Sequence, residues 1–598
     1  MKDSPNLAVN GSLYVNGHKV NSIKELKHRF GYVMQFDLLY QDFTPKEQLR
    51  NNGKLSGVSD VEGNVEKITE IFSLEKCQNT WVGGVFRKGI SGGEKKRTSI
   101  GLEVVTDPSV IFLDEPTTGL DSKTALDVAK LIKALAANGR TIITTIHQPS
   151  TDILERFDRI ICLCEGQMIY DGKPLDIPQY FSALGYAPPP HTNPADHVMN
   201  IVNDDDIRIR ELNKGNHITE AEVRREFEER LRIFQGAYDR TKPQLSKEKA
   251  SDEEFANLKH HEHRRGFFYT LCFLMGRFYI YSYRNFFTFV ARLVQFLLFA
   301  FCNVAIFSNL QDYRVDTIEA LQDRTGMVLI LTGVICFAGI LSSIAGNIQP
   351  LPMFFREYGS RLYTPFTYYL ASTLYDIPIQ FILTMVYLVS FWFVIDIRRG
   401  TEEFFQWFAI LFFSYTAGTG VGDILAFYIQ NLASCCQMYP IVCMTFFMLS
   451  GFVARIKDVV FYLYAFSYFS FFRFGYQAGL YIEFGDGVRE QYIAACKVRP
   501  DGCFEDSCSV PSPGNPACDV FSTNDFPEKS YTASLLILIA QTFVFRIVAV
   551  VLFYWVSVDK DIPYEDIPAE ETFVEPEDQI GAKNIRGECF DHQCAALG

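Results

Sequence analysis

Two adjacent acids, Asp114 and Glu115, close the apolar run of "VIFLDEPTTGLD" (Val110 to Asp121). The residues ahead of them read as a strand, and open α/β sheets collect ligands at the carboxyl ends of their parallel strands. Phosphoryl chemistry needs one acid to hold Mg²⁺, directly or through water, and another to polarise the attacking water. Asp114 suits the first task and Glu115 the second. His147 follows the strand of "RTIITTIHQPS" and is placed to reach a γ-phosphate. Gln35 ends the short run "GYVMQ", where it can meet the metal or the water. A lone Asp-Glu pair usually caps a strand or helix. All four groups in this order and spacing are a specific signal.

A second stretch, "ISGGEKKR" (Ile90 to Arg97), offers an anion site. Ser91, Gly92 and Gly93 leave backbone N–H groups uncovered, and Glu94 with the basic run opens a helix. Such an N-terminus suits phosphate.

The elements that must position these groups are legible around them. "SKTALDVAKLIKALAANG" has apolar residues at helical spacing and a glycine stop. It separates two strands, so a parallel sheet with crossover helices is expected over residues 1–202. "GSLYVNG" (Gly11 to Gly17) reads as a hairpin arm and "DRIICLCEGQMIYDGKP" as another strand pair. A charged linker follows over 203–265. Its His260, His261 and His263 read as a solvated patch, because no Cys or carboxylate cluster completes a metal site.

Composition changes in the second half. The chain of 598 residues is 48% apolar and 15% aromatic, and uncharged runs such as Val328 to Gly346 approach the length of a bilayer span. Six spans are expected, over 286–307, 325–346, 369–395, 404–428, 438–456 and 531–556, within a membrane domain at 286–556. "RRGFFYTLCFLMGRFYIYSYRN" (Arg264 to Asn285) is amphipathic and basic-flanked, which predicts a connecting helix over 266–285 along the cytosolic membrane surface. Val459 to Tyr481, interrupted by Arg473, reads as re-entrant or interfacial. The loop 473–530 carries Cys496, Cys503, Cys508 and Cys518 without a core of its own; disulfides in an oxidising exterior explain them better than zinc. An acidic cytosolic tail follows over 557–598. The net charge of −14, with no basic face, excludes nucleic acid as a partner. The first residues contain no apolar signal core, so the front domain is expected in the cytosol.

"ISGGEKKR" resembles the signature motif of ATP-binding cassette (ABC) proteins, "IFLDEPTTGLD" their Walker B and D-loop, "TTIHQPS" their H-loop and "GYVMQ" their Q-loop. "TIHQPS", "NPADHVMNIV" and a cassette ahead of six spans are similar to the G subfamily of eye-pigment, sterol and multidrug half-transporters. The resemblance implies an α/β P-loop-type nucleotide-binding domain, N-terminally incomplete, followed by an all-α six-helix transmembrane domain. It implies two cassettes paired head to tail, with ATP and Mg²⁺ between them. Ser91, Gly92, Gly93 and Glu94, with Asp121 of the D-loop, would then serve nucleotide held by a partner. No G-x-x-x-x-G-K-[ST] occurs in the sequence. Truncation at the N-terminus is the expectation, with natural loss of one ATP half-site as the alternative.

The resemblance also assigns "PMFFREYGSRLYTPF" to the coupling element, with Arg356 and Glu357 facing the cassette. Phe337 and Phe447 fall at cavity-lining positions, and Phe452 and Val453 at the plug above. Four intramembrane charges, Arg292, Asp376, Asp423 and Arg546, fall in the inner half of the bilayer. They form either a polar network between helices or separate snorkelling and helix-end charges. The expected function is ATP-driven export of a lipid-like, sterol or xenobiotic molecule by a dimer with a second half-transporter, in the plasma membrane or an endomembrane. The rival is a non-hydrolysing half-subunit that supplies only a signature half-site.

Overall fold

The computed structural model describes residues 13–20, 26, 29–84, 87–203, 208, 219–242, 251, 255, 265–307, 318–395, 397, 400–452, 460–484 and 531–559. Gly11–Tyr554 forms one compact unit, to which everything below refers; Met1–Asn10 with Trp555–Gly598 forms another. The predicted Cys496, Cys503, Cys508 and Cys518, the His260 triplet and Val453 lie outside the described residues.

Strands β1 (Leu13–Val15) and β2 (His18–Val20) pair across an Asn16-Gly17 turn, giving the expected hairpin arm. Strands β3 (Phe30–Val33), β4 (Val110–Leu113) and β5 (Thr141–Thr144) form a parallel sheet in that order. Val33 aligns with Leu113 and Leu113 with Thr144, so all three strands deliver their next residues to one edge. One face of this sheet is closed by α1 (Pro45–Ser56), α2 (Val61–Ile71), α3 (Gly92–Val104) and α4 (Ser122–Ala137), which bury Val33, Ile111 and Leu113 with Ile100 and Val128. The opposite face leaves Tyr32 49% and Ile143 53% exposed. Parallel sheets ordinarily cover both faces. After α5 (Thr151–Leu154), β6 (Ile160–Cys164) and β7 (Gln167–Gly172) make a hairpin. Helices α6 (Ile177–Ala183), α7 (Pro194–Ile201) and α8 (Glu220–Thr241) share a core with it around Phe181 and Phe234.

The helical half begins with the connecting helix α9 (Phe267–Arg284). Then come α10 (Phe286–Phe307), α11 (Ile318–Ile348), the short α12 (Leu351–Gly359), α13 (Pro365–Trp392) and α14 (Thr401–Ile429). These are followed by α15 (Leu432–Met448), the pair α16 (Phe461–Ser467) and α17 (Phe471–Phe484), and α18 (Tyr531–Asp559). Among the described residues five helices, α10, α11, α13, α14 and α18, are long and apolar enough to cross a membrane; α15 is a shorter apolar helix. Helices α11 and α14 form the buried centre, because glycine lets their backbones touch: a Cβ on Gly418 would lie 2.6 Å from the Cys336 carbonyl. The Val459–Tyr481 run folds as two short helices, and Arg473 is buried there against Ser467 and the Tyr468 ring.

Helix α9 and α12 meet the cassette through charges. Arg284 forks onto both oxygens of Glu47 at 2.6 and 2.7 Å, in the first turn of α1. Arg356 donates to the Leu38 carbonyl. Glu357 does not face the cassette as the sequence reading placed it. It is buried, takes a bidentate bond from Arg277 of α9 at 2.8 and 2.8 Å, and accepts from Tyr363. A buried carboxylate needs a cation more than it needs a distant surface, and Arg277 is the cation within reach. Arg277 in turn covers the ring of Tyr40 at 5.1 Å, so the pair still touches the cassette indirectly. Glu357→Gln strands Arg277 without its counter-charge, which should cost about 3–5 kcal/mol. A markedly lower melting temperature in detergent, partly recovered in Arg277→Met/Glu357→Gln, is the expected result.

Candidate functional site

At the sheet edge Asp114 and Glu115 emerge together from β4. Thr145, one residue beyond β5, ties them: its hydroxyl donates to Asp114 Oδ1 at 2.7 Å and accepts the Glu115 N–H at 3.0 Å. Glu115 sits at φ 42°, a left-handed conformation that is costly for a non-glycine residue and that this bond helps to hold. Its Oε2 accepts from Gln35 Nε2 at 2.9 Å and from Thr118 at 3.1 Å. Tyr32 donates a long 3.4 Å bond to Asp114 Oδ2. Burial raises the Tyr32 phenol's pKa, and the Asp114 charge raises it further. Gln35, Asp114 and Glu115 are thus one cluster, as their types and order predict. His147 stands exposed past β5 with no hydrogen bond to either carboxylate.

Among the described residues no group of three or more His, Cys, Asp or Glu gathers as metal ligands. Gln35 commits its amide nitrogen to Glu115 and keeps its side-chain oxygen, and Asp114 supplies a hard carboxylate, so these two are the oxygen donors the cluster offers a divalent cation. If Mg²⁺ is held here it supplies charge neutralisation for a transferring phosphoryl group.

The anion site differs from expectation in one amide. Ser91 caps α3, and Glu94 closes a capping box: its Oε2 accepts the Ser91 N–H and hydroxyl, each at 2.8 Å. The Ser91 amide is therefore not bare; Gly92 and Gly93 keep the free N–H groups of the first turn. Burial pushes the Glu94 carboxyl up, but the Ser91 amide and hydroxyl outweigh it and its pKa is net lowered. Gly93 is buried against the Thr124 methyl of α4, which any Cβ would strike. Asp121 accepts the Thr124 backbone N–H at 3.0 Å as the cap of α4, so the Gly93 turn and Asp121 meet at one residue.

Sequence reading missed the group that joins this helix to the cluster. Lys96, read there as part of a basic run, is 2% exposed; its ammonium donates to the Gln35 carbonyl at 2.6 Å and pairs with Asp37 at 3.0 Å. Burial raises the Asp37 pKa and Lys96 partly offsets it. Thr145 was equally unmarked, although its place directly after a strand and two residues before His147 was a usable signal.

In the membrane half, the four predicted charges form two pairs rather than separate snorkelling groups. Arg292 bonds Asp376 at 3.0 Å, and Gln380 donates to the other Asp376 oxygen at 2.7 Å. Arg546 pairs with Asp423, which also accepts from Ser343, Asn347 and Tyr369. Phe337, Phe447 and Phe472 of α17 form one aromatic group, with Phe337 5.0 Å from Phe472 and 6.3 Å from Phe447. Phe452 packs apart from them, edge-on to Tyr476 at 6.0 Å.

A nucleotide-type carboxylate cluster facing a capped signature helix, wired to a bundle of apolar helices, defines an ATP-binding cassette joined to a membrane domain. The ABC transporter family matches residues 4–118, and ABC-2 type transporter families match residues 147–268 and 269–484. The chain is 30% identical over 500 residues to the rat (Rattus norvegicus) broad substrate specificity ATP-binding cassette transporter ABCG2, covering 80% of this chain and 74% of that one. It is 30% identical over 498 residues to ABC transporter G family member 22 of Arabidopsis thaliana, with 77% and 64% covered. It is 27% identical over 537 residues to protein white of Ceratitis capitata, with 88% and 75% covered. The chain belongs to the G family of ABC half-transporters, a multi-pass membrane protein with its cassette on the cytosolic side.

Two measurements check this site. Thr145→Val removes a donor and an acceptor at once, and because both bonds are exposed it should destabilise the cassette by about 0.5–1.5 kcal/mol in denaturant melts. Burial raises the Glu103 carboxyl on α3 to about 7 despite Arg356 nearby. The folded state then holds a proton that the unfolded state releases, so stability should fall as pH rises from the ordinary carboxylate range to about 7. Glu103→Gln should flatten that slope.

Proposed function

We propose that this half-transporter dimerises and couples ATP binding and hydrolysis to export of a hydrophobic or amphipathic molecule, a lipid, sterol or xenobiotic. The observation that carries the reading is the shared use of one segment, Gln35–Leu38. Gln35 holds Glu115, Lys96 of the signature helix holds the Gln35 carbonyl, and Arg356 of α12 holds the Leu38 carbonyl. In this reading Asp114 and Gln35 hold Mg²⁺, Glu115 is the general base for water, and His147 steadies the γ-phosphate. Ser91 and the free amides of Gly92 and Gly93 clasp nucleotide presented by the second subunit, with Glu94 holding Ser91 in place and Asp121 ordering the neighbouring turn. Phe337, Phe447, Phe452 and Val453 contribute to the apolar translocation path, and disulfides among Cys496, Cys503, Cys508 and Cys518 brace the outer loop.

A second reading has one specific observation in its favour. These residues contain no P-loop motif, and the sheet face bearing Tyr32 and Ile143 is left uncovered among the described residues. A strand, phosphate-binding loop and helix would cover such a face and supply the missing lysine. In this second reading the chain is a non-hydrolysing half-subunit that gives its signature to a complete partner. ATP-dependent uptake into inside-out vesicles separates the two. On the first reading the ATPase should fall with Glu115→Gln, and on the second it should be at background and unaffected by Glu115→Gln. Pairing with a P-loop-bearing half-transporter should restore uptake of a labelled sterol, phospholipid or drug that Gly92→Asp in this chain abolishes. Vigorous ATPase by the chain alone contradicts the second reading, and uptake insensitive to Gly92→Asp contradicts both.

A further inference from the structure

A cavity of about 110 Å³ lies among the cytosolic ends of α9, α10, α11, α13, α14 and α18, apart from the Phe337–Phe447–Phe472 group. A single water needs about 10–15 Å³ of such space, so the cavity has room for a group of several heavy atoms. The charged residues in its wall are Arg292, Arg546, Asp376 and Asp423, two of each sign. The site is thus formally neutral but strongly dipolar.

The two ion pairs are unequally committed. Asp423 is saturated: Ser343 and Asn347 reach one oxygen, Tyr369 and Arg546 the other. Arg546 spends its terminal nitrogens on Asp423, Tyr369 and Thr419, and only its buried Nε lacks an acceptor. Arg292 makes one bond to Asp376 and one, at 3.2 Å, to the Ser342 carbonyl. A guanidinium has five N–H donors, of which these bonds use two, and Arg292 lines the cavity. Asp376 accepts one bond on each oxygen and has lone pairs to spare. Beside it the rings of Phe278 and Tyr375 stack at 5.9 Å and line the same wall.

Free guanidinium donors next to an incompletely used carboxylate and aromatic rings match a molecule carrying phosphate and ammonium a few bonds apart. A bare anion would leave net charge in a low-dielectric pocket; a zwitterion keeps the neutrality. Arg292 is six residues along α10 from Phe286, about 9 Å at helical rise. That depth lies inside the hydrocarbon layer, in its cytosolic half, so a headgroup reaching Arg292 has to be drawn in from the α9–α10 junction. Asn285 and Thr288 line the cavity at the α9–α10 junction, and Phe286 and Phe287 between them are 59% and 82% exposed.

We propose that this cavity binds the headgroup of a zwitterionic phospholipid from the cytosolic leaflet, with its phosphate on Arg292 and its ammonium on Asp376. The site is independent of whatever molecule is exported. Occupancy would bridge α10 and α13 at the level of the connecting helix, so bound lipid acts as a structural ligand of the inner half of the domain.

The test is native mass spectrometry of the full chain taken from nanodiscs of equal phosphatidylethanolamine and phosphatidylglycerol. One phosphatidylethanolamine per chain should survive detergent exchange. Ser372→Phe, which fills the cavity and leaves both ion pairs intact, should retain at least tenfold less. Equal retention of phosphatidylglycerol, or unchanged retention in Ser372→Phe, overturns the proposal. Should Ser372→Phe fail to fold, a photoreactive phosphatidylethanolamine headgroup on the unaltered protein decides. Crosslinks within 278–292 or 368–379 support the site, and crosslinks confined elsewhere overturn it.

Discussion

A four-residue backbone segment, Gln35–Leu38, is gripped from three directions, and the link between cassette and membrane depends on that grip. Its first side chain holds the Glu115 carboxylate, its first carbonyl takes the Lys96 ammonium, and its last carbonyl takes the Arg356 guanidinium. Each contact is a charged or amide group bonded to an atom the backbone cannot withdraw without leaving it unsatisfied. Bonds of this kind to charged partners are worth about 1.5–3 kcal/mol each, and a buried ammonium left alone costs more. In the proposed function these contacts offer a route by which movement of α3 relative to the carboxylates would reach this segment and, through Leu38, α12.

The grip works because its surroundings are stiff. Glu47 closes a capping box with Thr44 and also receives Arg284, so the cassette end of α1 and the membrane end of α9 share one carboxylate. Hydrogen bonding from Arg284 is the largest cause of the lowered Glu47 pKa, with the Thr44 amide adding to it. The Arg277–Glu357 pair, buried under Tyr40 and Tyr363, locks α9 to α12. Deeper in the domain, the two Arg–Asp pairs hold α10 to α13 and α14 to α18. The cassette is thus joined to the bundle by paired charges in graded burial rather than by apolar surface alone.

Much of this was legible from residue type and spacing. The acids ending β4, the glutamine ending β3 and the capped glycine turn are local patterns, so the chain itself displays them. The helix of α4 and the hairpins at Asn16-Gly17 and Glu165-Gly166 follow from propensity and turn chemistry. What stayed hidden were contacts that cross the sequence. Lys96 reaches 61 residues back to Gln35, and in isolation a lysine in "EKKR" reads as solvated. Glu357 looked available to the cassette because nothing local shows that Arg277, 80 residues earlier, is its partner. The depth of the four membrane charges was readable from span positions, whereas their pairing depends on how each helix is rotated. Spacing likewise placed the fifth span at 438–456, whereas α15 runs Leu432–Met448 with Pro440 inside it.

Hydrogen–deuterium exchange on the purified full chain and its Lys96→Met variant tests the central claim most directly. If the segment transmits position, loss of the ammonium should speed exchange in residues 35–38 and also in α12, more than 250 residues away in sequence. Faster exchange confined to residues around position 96, with α12 as protected as in the unaltered protein, would contradict it.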